Sequence, residues 1–394
     1  MHPLVVDVPA GPEVLDALAP ALRAALDASA PPVLPVPPPP DPRRDQVLEA
    51  LRPDRPVEVD GVAVVLATGG STGPPKGVLL SAVAMGAAAL RQDERIGGPG
   101  LWVLALPAWH AGGLQVVVRA LRGGVPVHPM DLTRPFGAQD FTETTTLARR
   151  RADALGLPLL VSLVPTQVTR LVDAGRGEVL AAYDGVLVGA AAAPAGLLDG
   201  LRSSGVQVLE SYGMSETCGG YAYDGVPIRD VDVTLAGGRV SIAGPTLFSG
   251  YRLRPDLTEQ VLVGGRLLTP DLGRWEDGRL RLLGRADDVI LTGGEKVAAP
   301  LVAATLLDAP GVTAAAVVGV PDREWGESVV AFVVPADPDA PPAVEDLRGF
   351  VRDRLGPVAT PRRVHPVAEL PVLASGKLDR AGLAALDASY PGPV

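Results

Sequence analysis

The sequence predicts an α/β protein: a large N-terminal domain over residues 1–284, with mostly parallel helix-covered sheets plus a small β unit, and a small α+β C-terminal domain over residues 285–394. From Gly61 to about Leu209, short runs that are apolar on both faces alternate with helical patterns, as parallel strands covered by helices do. After Val231 the texture shifts to short alternating runs, Arg239-Val240-Ser241-Ile242 and Arg279-Leu280-Arg281-Leu282, bounded by turn residues. That pattern reads as a small antiparallel unit ending at Gly284. A chain of 394 residues also exceeds what one hydrophobic core ordinarily organises.

Taken in order, Leu4-Val5-Val6 reads as a short strand and Val14 to Leu26 as an Ala/Leu helix. The run Pro31-Pro32-Val33-Leu34-Pro35-Val36-Pro37-Pro38-Pro39-Pro40 cannot be helical and reads as a polyproline-like surface crossing, a plain linker rather than an SH3-type ligand. Strands are expected at Val62 to Ala67, Leu101 to Leu106, Leu159 to Val164, Val186 to Val188 and Val206 to Leu209, with helices from near Ser81, Gly113, Pro165 and Pro194. Ligands of such sheets sit at the carboxyl ends of the strands. There the polar and glycine clusters fall: Thr68 to Gly77, Pro107 to Gly113, Gly189 to Pro194 and Glu210 to Gly220. The last part reads as strand Val289 to Leu291, helix Pro300 to Leu307, strands Thr313 to Val320 and Ser328 to Val334, and helix Val344 to Leu355. No internal repeat is visible.

Four Trp, six Tyr and five Phe leave the core to Ala, Val and Leu. A net charge of −10 and a pI near 5.0 argue against nucleic acid or an anionic membrane as partner, since both demand a basic face. No run approaches the length of a membrane span, so stable membrane insertion is not expected. The single cysteine, Cys218, excludes a disulfide framework and fits a reducing cytoplasm; it reads as a small buried residue. Asp7, Glu13 and Asp16 stand where a signal peptide would need a basic start and an unbroken apolar core.

Chemistry concentrates around Thr68-Gly69-Gly70-Ser71-Thr72-Gly73-Pro74-Pro75-Lys76-Gly77, entered from the β-branched run at Val62 and followed by an expected helix from Ser81. Hydroxyls, glycines and one lysine after a strand suit the handing of phosphate to backbone amides. Lysine is rare: only Lys76, Lys296 and Lys377 occur among 35 basic residues, each beside glycine or in a glycine-rich turn. A compact ammonium next to closely approachable backbone suits phosphate or carboxylate oxygens. The loop is not a Walker A motif, because Lys76 follows Pro75 and precedes Gly77.

The loop does match the Ser-Thr-Gly-x-Pro-Lys-Gly signature, so the chain resembles the adenylate-forming enzymes: acyl-CoA synthetases, luciferases and peptide-synthetase adenylation domains. Further segments agree in the same order. Tyr212-Gly213-Met214-Ser215-Glu216 resembles the family's Tyr-Gly-x-Thr-Glu, with Ser215 in the threonine's place. The resemblance implies that Tyr212 stacks near adenine, Ser215 meets phosphate and Glu216 helps hold Mg²⁺. Thr269-Pro270-Asp271-Leu272-Gly273 is similar to Thr-x-Asp-x-Gly, which implies that Asp271 takes the ribose hydroxyls. Gly284-Arg285-Ala286-Asp287 looks like the Gly-Arg-x-Asp hinge, with Arg285 facing ribose or phosphate and Asp287 absorbing a rotation of a mobile C-terminal domain. Gly293-Gly294 matches the turn that lines the pantetheine channel in CoA-using members, and Pro371 to Lys377 the terminal Pro-x-x-x-x-Gly-Lys, whose lysine bridges the acid and the α-phosphate.

The resemblance implies two steps: a carboxylate attacks the α-phosphorus of ATP to give acyl-AMP and pyrophosphate, and a thiol then displaces AMP. Ser71, Thr72, Gly73 and Lys76 are expected on the phosphates, and no protein nucleophile is required. His110, in Trp109-His110-Ala111-Gly112-Gly113, resembles the segment bordering the acyl pocket of CoA ligases. The expected pocket wall is Gly189 to Ala193 with Gly219, Gly220 and Tyr221, small and apolar, and it includes Ala190. The region before the loop is shorter than the family usually has. With the Trp109-His110 segment it looks most like the o-succinylbenzoate–CoA ligases of menaquinone synthesis. ATP, Mg²⁺ and coenzyme A are the implied cofactor and co-substrates. The alternatives are another aryl- or acyl-CoA ligase, a carrier-protein-loading adenylation enzyme, and, from a different class, a nucleotide-binding module without catalysis. The oligomeric state, a homodimer among the options, is left open.

Overall fold

The computed structural model describes residues 1–70, 73–191, 193–194, 196–286, 288–371 and 378–390. The chain forms two compact units, Met1–Val233 with Ile242–Leu267, and Thr234–Ser241 with Leu268–Val394.

The first unit opens with β1 (Leu4–Asp7), α1 (Val14–Leu26), β2 (Val33–Val36), α2 (Pro42–Leu51), β3 (Val62–Gly70), β4 (Gly73–Ser81) and α3 (Ala82–Ile96). Strands β1, β2 and β3 are parallel. The proline-rich run is therefore no surface linker: Val33, Leu34 and Val36 are fully buried inside this sheet. The carbonyls of Pro32 and Val36 accept from Leu4 and Val8, so even-numbered residues of β2 turn their polar groups toward β1 and odd-numbered ones toward β3. Pro35, which has no N–H to give, faces β3 where the ladder has already ended at Val33↔Val64. Apolar Val and Leu between the prolines outweighed a composition that reads as linker.

The helix expected from Ser81 is present, and a second strand precedes it. Strand β3 does not pass directly to a helix; it returns as antiparallel β4, with Thr68 opposite Lys76 and Gly70 opposite Gly73. Helix α3 begins only after β4, capped by the Ser81 hydroxyl accepting from the Ala84 N–H.

Then follow β5 (Leu101–Leu104), α4 (Ala111–Gly123), β6 (Val127–Pro129), α5 (Ala138–Leu155), β7 (Leu159–Leu163), α6 (Pro165–Asp173), β8 (Gly185–Gly189), α7 (Leu197–Ser203), β9 (Val208–Met214), β10 (Gly219–Tyr223) and β11 (Val226–Pro227). They form a second sheet in the order β11-β10-β9-β8-β7-β5-β6. Strands β9, β8, β7, β5 and β6 are parallel, and β10 turns back antiparallel on β9. Helix α5 has no counterpart among the expected elements, and its threonines are poor helix formers. It forms because Phe141, Thr145, Ala148 and Ala152 line one buried face, while the hydroxyls of Thr142, Thr144, Thr145 and Thr146 donate to carbonyls four residues back.

Beyond β12 (Asp232–Ala236) and β13 (Arg239–Ala243), the short β14 (Gly250–Tyr251) pairs with β4, Gly250 opposite Leu79 and Tyr251 opposite Val78. Helix α8 (Pro255–Val261) and β15 (Leu262–Val263) complete this part.

The second unit holds β16 (Arg266–Glu276) paired antiparallel with β17 (Arg279–Arg285), then β18 (Val289–Thr292), β19 (Glu295–Ala298), α9 (Ala299–Leu307), β20 (Val312–Asp322), β21 (Gly326–Pro335), α10 (Val344–Leu355), β22 (Arg363–Pro366) and α11 (Arg380–Ser389). Ile290, Val302, Leu306, Val329, Val333, Leu347 and Val351 make its core. His365 is structural: its Nε2 lies 2.7 Å from Asp387 Oδ1, and Arg363 donates to both oxygens of the same carboxylate. Those bonds tie α11 to β22.

Leu34 lies at 0% exposure among Val36, Val47, Leu51 and Val65. Leu34→Ala is expected to destabilise the first unit by about 2–5 kcal/mol, seen as a lower urea midpoint at unchanged slope.

Candidate active site

Three short elements converge beside the glycine loop. Lys76 lies on β4, Glu216 on the 3₁₀ turn Ser215–Thr217 after β9, and Tyr251 on β14. The Tyr251 hydroxyl donates to Glu216 Oε1 at 2.7 Å, and Lys76 Nζ stands 5.6 Å from the Tyr251 ring centroid. The backbone N–H of Phe248 donates to the Glu216 carbonyl at 2.9 Å, and the Phe248 ring meets Tyr251 edge-on at 4.9 Å. Burial, helped by the Glu216 charge, pushes the Tyr251 phenol far above its usual range, so it remains a donor. Two sequence-predicted residues, Lys76 and Glu216, are thus gathered by a third that motif reading missed. The Gly250-Tyr251 pair after a glycine-rich stretch was its only signal. Ser71 and Thr72 lie outside the described residues; Gly73 stands at the mouth of the hairpin opposite Gly70.

Close backbone approach builds the next wall. A Cβ on Gly213 would stand 2.1 Å from the Gly219 carbonyl oxygen, and one on Gly189 2.6 Å from the Ser211 carbonyl oxygen. Both glycines are therefore dictated by packing of β8, β9 and β10. Ala190, directly after Gly189, takes φ +69, a left-handed conformation that an alanine adopts only under constraint. Thr217 Oγ1 accepts from the Met214 N–H at 3.1 Å and donates to the Gly219 carbonyl at 2.7 Å, holding the turn that carries Ser215 and Glu216. Tyr212 packs against Tyr221 with ring centroids 4.9 Å apart. Tyr221 has no exposed surface, so it supports the wall from within and does not line a pocket. Ala192 lies outside the described residues. Cys218 is buried and its thiol is pushed up to about 12 by desolvation, which leaves it without thiolate character.

His110 is the residue before α4, and its ring lies 6.0 Å from that of Trp109. The atoms crowded around it, and second the charge of Arg43, hold its pKa below the ordinary histidine value. Arg43 is itself paired with Asp41, whose carboxyl its hydrogen bonds draw down to about 2. Behind Gly219, Gln92 Nε2 donates to the Gly220 carbonyl at 2.8 Å. The next residue, Asp93, interacts with buried Arg119, which stacks 4.1 Å over Trp102.

In the second unit the ribose and hinge motifs meet. Asp271 and Arg285 are register partners of β16 and β17, with Oδ1 and Nη1 3.9 Å apart. Asp287 lies outside the described residues, but Asp288 forms a two-pronged ion pair with Arg380. Lys377 also lies outside them. Its flanks are anchored: the Asp379 N–H donates to the Pro371 carbonyl at 2.9 Å, and Leu370 and Leu378 pack against Val330, Phe332 and Leu383. Gly293 and Gly294 form the β18–β19 turn at φ +58 and +82. A Cβ on Gly293 would meet the Trp325 ring at 2.8 Å. Beside this turn opens a cavity of about 410 Å³ whose lining includes Trp325, Arg348, Arg352 and Arg362. The Arg362 guanidinium stacks 3.8 Å over Trp325.

Among the described residues no helix is long and apolar enough to cross a membrane. No group of three or more His, Cys, Asp or Glu among them could hold a metal by itself.

Residues 6–247 match the family model described as AMP-binding enzyme, and residues 302–377 the AMP-binding enzyme C-terminal domain. The first match begins well before the glycine loop, so the family likeness reaches into the N-terminal segment. A protein of Mycobacterium tuberculosis named probable 2-succinylbenzoate–CoA ligase is 41% identical over 382 residues, 95% of this chain and 96% of that one. The o-succinylbenzoate CoA synthetase of Bacillus subtilis, solved with its acyl-adenylate intermediate, superposes with a TM-score of 0.60 at 26% identity over 83% of this chain and 70% of its own. That protein has also been solved with ATP and magnesium ion. The amide bond synthetase McbA of Marinactinospora thermotolerans matches with a TM-score of 0.62 at 31% identity, over 83% of this chain and 69% of its own.

Burial raises the Asp93 carboxyl from 3.8 to about 6, so folding favours its neutral form. The cost of burying it charged is absent below about pH 4 and complete above about pH 6. Asp93→Asn should therefore flatten the fall in stability between those limits by on the order of 1–3 kcal/mol, measured by urea denaturation at a series of pH values.

Proposed function

Because this chain belongs to the AMP-binding enzyme family of adenylate-forming ligases, we propose that it is an ATP-dependent 2-succinylbenzoate–CoA ligase. It would activate the acid as acyl-AMP with release of pyrophosphate and then transfer the acyl group to coenzyme A, in the cytoplasm, where both co-substrates are made. The observation that carries the reading is the extent of the likeness: 41% identity running through 95% of this chain and 96% of the M. tuberculosis relative named for that activity.

The first step brings a carboxylate to a polyanion, so the site must gather positive charge and donors. Lys76, with Ser71, Thr72 and Gly73, is the group proposed to hold the β- and γ-phosphates. Glu216 is the carboxylate proposed to hold magnesium, which when bound neutralises phosphate charge. The fixed position of its Oε1 against Tyr251 fits that use, since magnesium is commonly held by one or two carboxylates plus phosphate oxygens. Tyr212, Gly213 and Ser215 would border adenine and phosphate. Asp271 would take the ribose hydroxyls with Arg285 beside it, a reading their 3.9 Å separation supports. His110, Gly189 and Ala190 would border the acid.

Lys377 is proposed to reach the carboxylate and the α-phosphate. It stands three positions before Arg380, the ion-pair partner of Asp288, along the chain. A pivot at Asp287, with the domain boundary placed at residues 284 and 285, would then exchange Lys377 for the Gly293-Gly294 face. The arginine-lined cavity beside that turn suits the phosphates of coenzyme A, and Trp325 its adenine.

A panel of acids with ATP and Mg²⁺, read for pyrophosphate release and CoA consumption together, is expected to single out o-succinylbenzoate in both readouts. Release of pyrophosphate without loss of CoA would assign a different acceptor, and silence across the panel a binding module without catalysis. Lys377→Ala should lower acyl-AMP formation by at least about a hundredfold while sparing thioester formation from supplied acyl-AMP. Equal loss in both half-reactions would refute the exchange of faces.

A further inference from the structure

One side chain touches both charged arms of the phosphate site. Tyr251 stands opposite Val78 on β4, which makes Lys76, two residues earlier on the same strand face, its diagonal neighbour. Its ring lies 5.6 Å from Lys76 Nζ, while its hydroxyl donates to Glu216 Oε1 at 2.7 Å. Tyr251 is itself held from three sides: its N–H donates to Thr258 Oγ1 at 2.8 Å, Phe248 packs edge-on at 4.9 Å, and β14 is paired into the sheet edge. The Glu216 carbonyl is pinned by the Phe248 N–H at 2.9 Å, from the same short segment.

We propose that Tyr251 is a positioning residue that sets the spacing between the metal-facing carboxylate of Glu216 and the phosphate-facing ammonium of Lys76. The hydroxyl occupies one oxygen of Glu216 and so turns the other toward the metal. The ring face gives the Lys76 ammonium a place to rest on the same side chain. Any displacement of the Phe248–Tyr251 segment would move both charges together. The inference rests on the reading of Lys76 and Glu216 as the phosphate and magnesium groups.

Tyr251→Phe keeps the ring and removes only the hydroxyl; Tyr251→Leu removes both contacts. In the full-length enzyme with ATP, binding of Mn²⁺ followed by electron paramagnetic resonance should weaken about tenfold or more in Tyr251→Phe, the expected loss for a hydrogen bond to a charged group. Pyrophosphate exchange in the same variant should recover at high Mg²⁺, with the KM for ATP at saturating metal unchanged. Tyr251→Leu should add to the weakened metal binding a rise of about two- to fivefold in that KM, through loss of the Lys76 contact. Glu216→Gln is the companion. If Glu216→Gln weakens Mn²⁺ binding and Tyr251→Phe does not, the positioning role is overturned while the site reading stands. If Glu216→Gln leaves Mn²⁺ binding unchanged, the site reading falls and this inference with it. A loss in Tyr251→Phe that high Mg²⁺ does not rescue, in a variant whose thermal unfolding matches the wild type, also overturns it.

Discussion

The pairing of β4 with β3 on one side and β14 on the other is the constraint on which the Lys76–Glu216–Tyr251 cluster depends. Once β3 turns back through the glycine loop, the lysine is carried on a strand whose register is set by Leu79 and Leu80 in the core, both nearly free of solvent. Leu79 and Leu80 point to opposite faces of β4 and both are covered, so apolar packing on each side fixes the strand that carries Lys76. The two-residue β14 uses the free edge of β4 to bring Tyr251 to the same place. The placement of Lys76 and Tyr251 is thereby tied to apolar packing of the sheet.

The second sheet supplies the opposite kind of constraint, close backbone contact in place of side-chain burial. Gly213 and Gly189 allow β9 to lie against its neighbours at distances no Cβ would tolerate. The turn Ser215–Thr217 then leaves the strand end with Glu216 directed at Tyr251. Such sheets leave their ligand crevice at the carboxyl ends of the strands. The strained φ of Ala190 falls at one such end, after β8.

In the second unit, packing brings together residues that the chain spaces apart. The hairpin β16–β17 sets Asp271 opposite Arg285, and the Asp288–Arg380 ion pair ties the start of this unit to the helix that follows Lys377. Around the Gly293-Gly294 turn, Trp325, two arginines of α10 and Arg362 line one cavity. Positive charge so collected, in a protein of net charge −10, is a local feature of a surface that is otherwise acidic.

The sequence by itself determined the α/β class, helices α1 and α10 to the residue and most strands of the parallel sheet, and it singled out Lys76, Glu216, Asp271 and Arg285 as candidates. These are local properties: apolar periodicity, and short runs whose residue types are dictated by chemistry at a point. Tertiary structure alone decided that Val33–Val36 is a buried strand, because only the neighbours β1 and β3 supply the hydrogen bonds and cover that offset its prolines. It also decided that β3 and β4 pair antiparallel through Gly70 and Gly73, since pairing of β4 depends on a partner on each side. It withdrew Tyr221 from the pocket wall by placing its ring against Tyr212. Tyr251 lies 35 residues from Glu216 and far beyond Lys76 along the chain, so its contacts with both follow from sheet register, which no local pattern encodes.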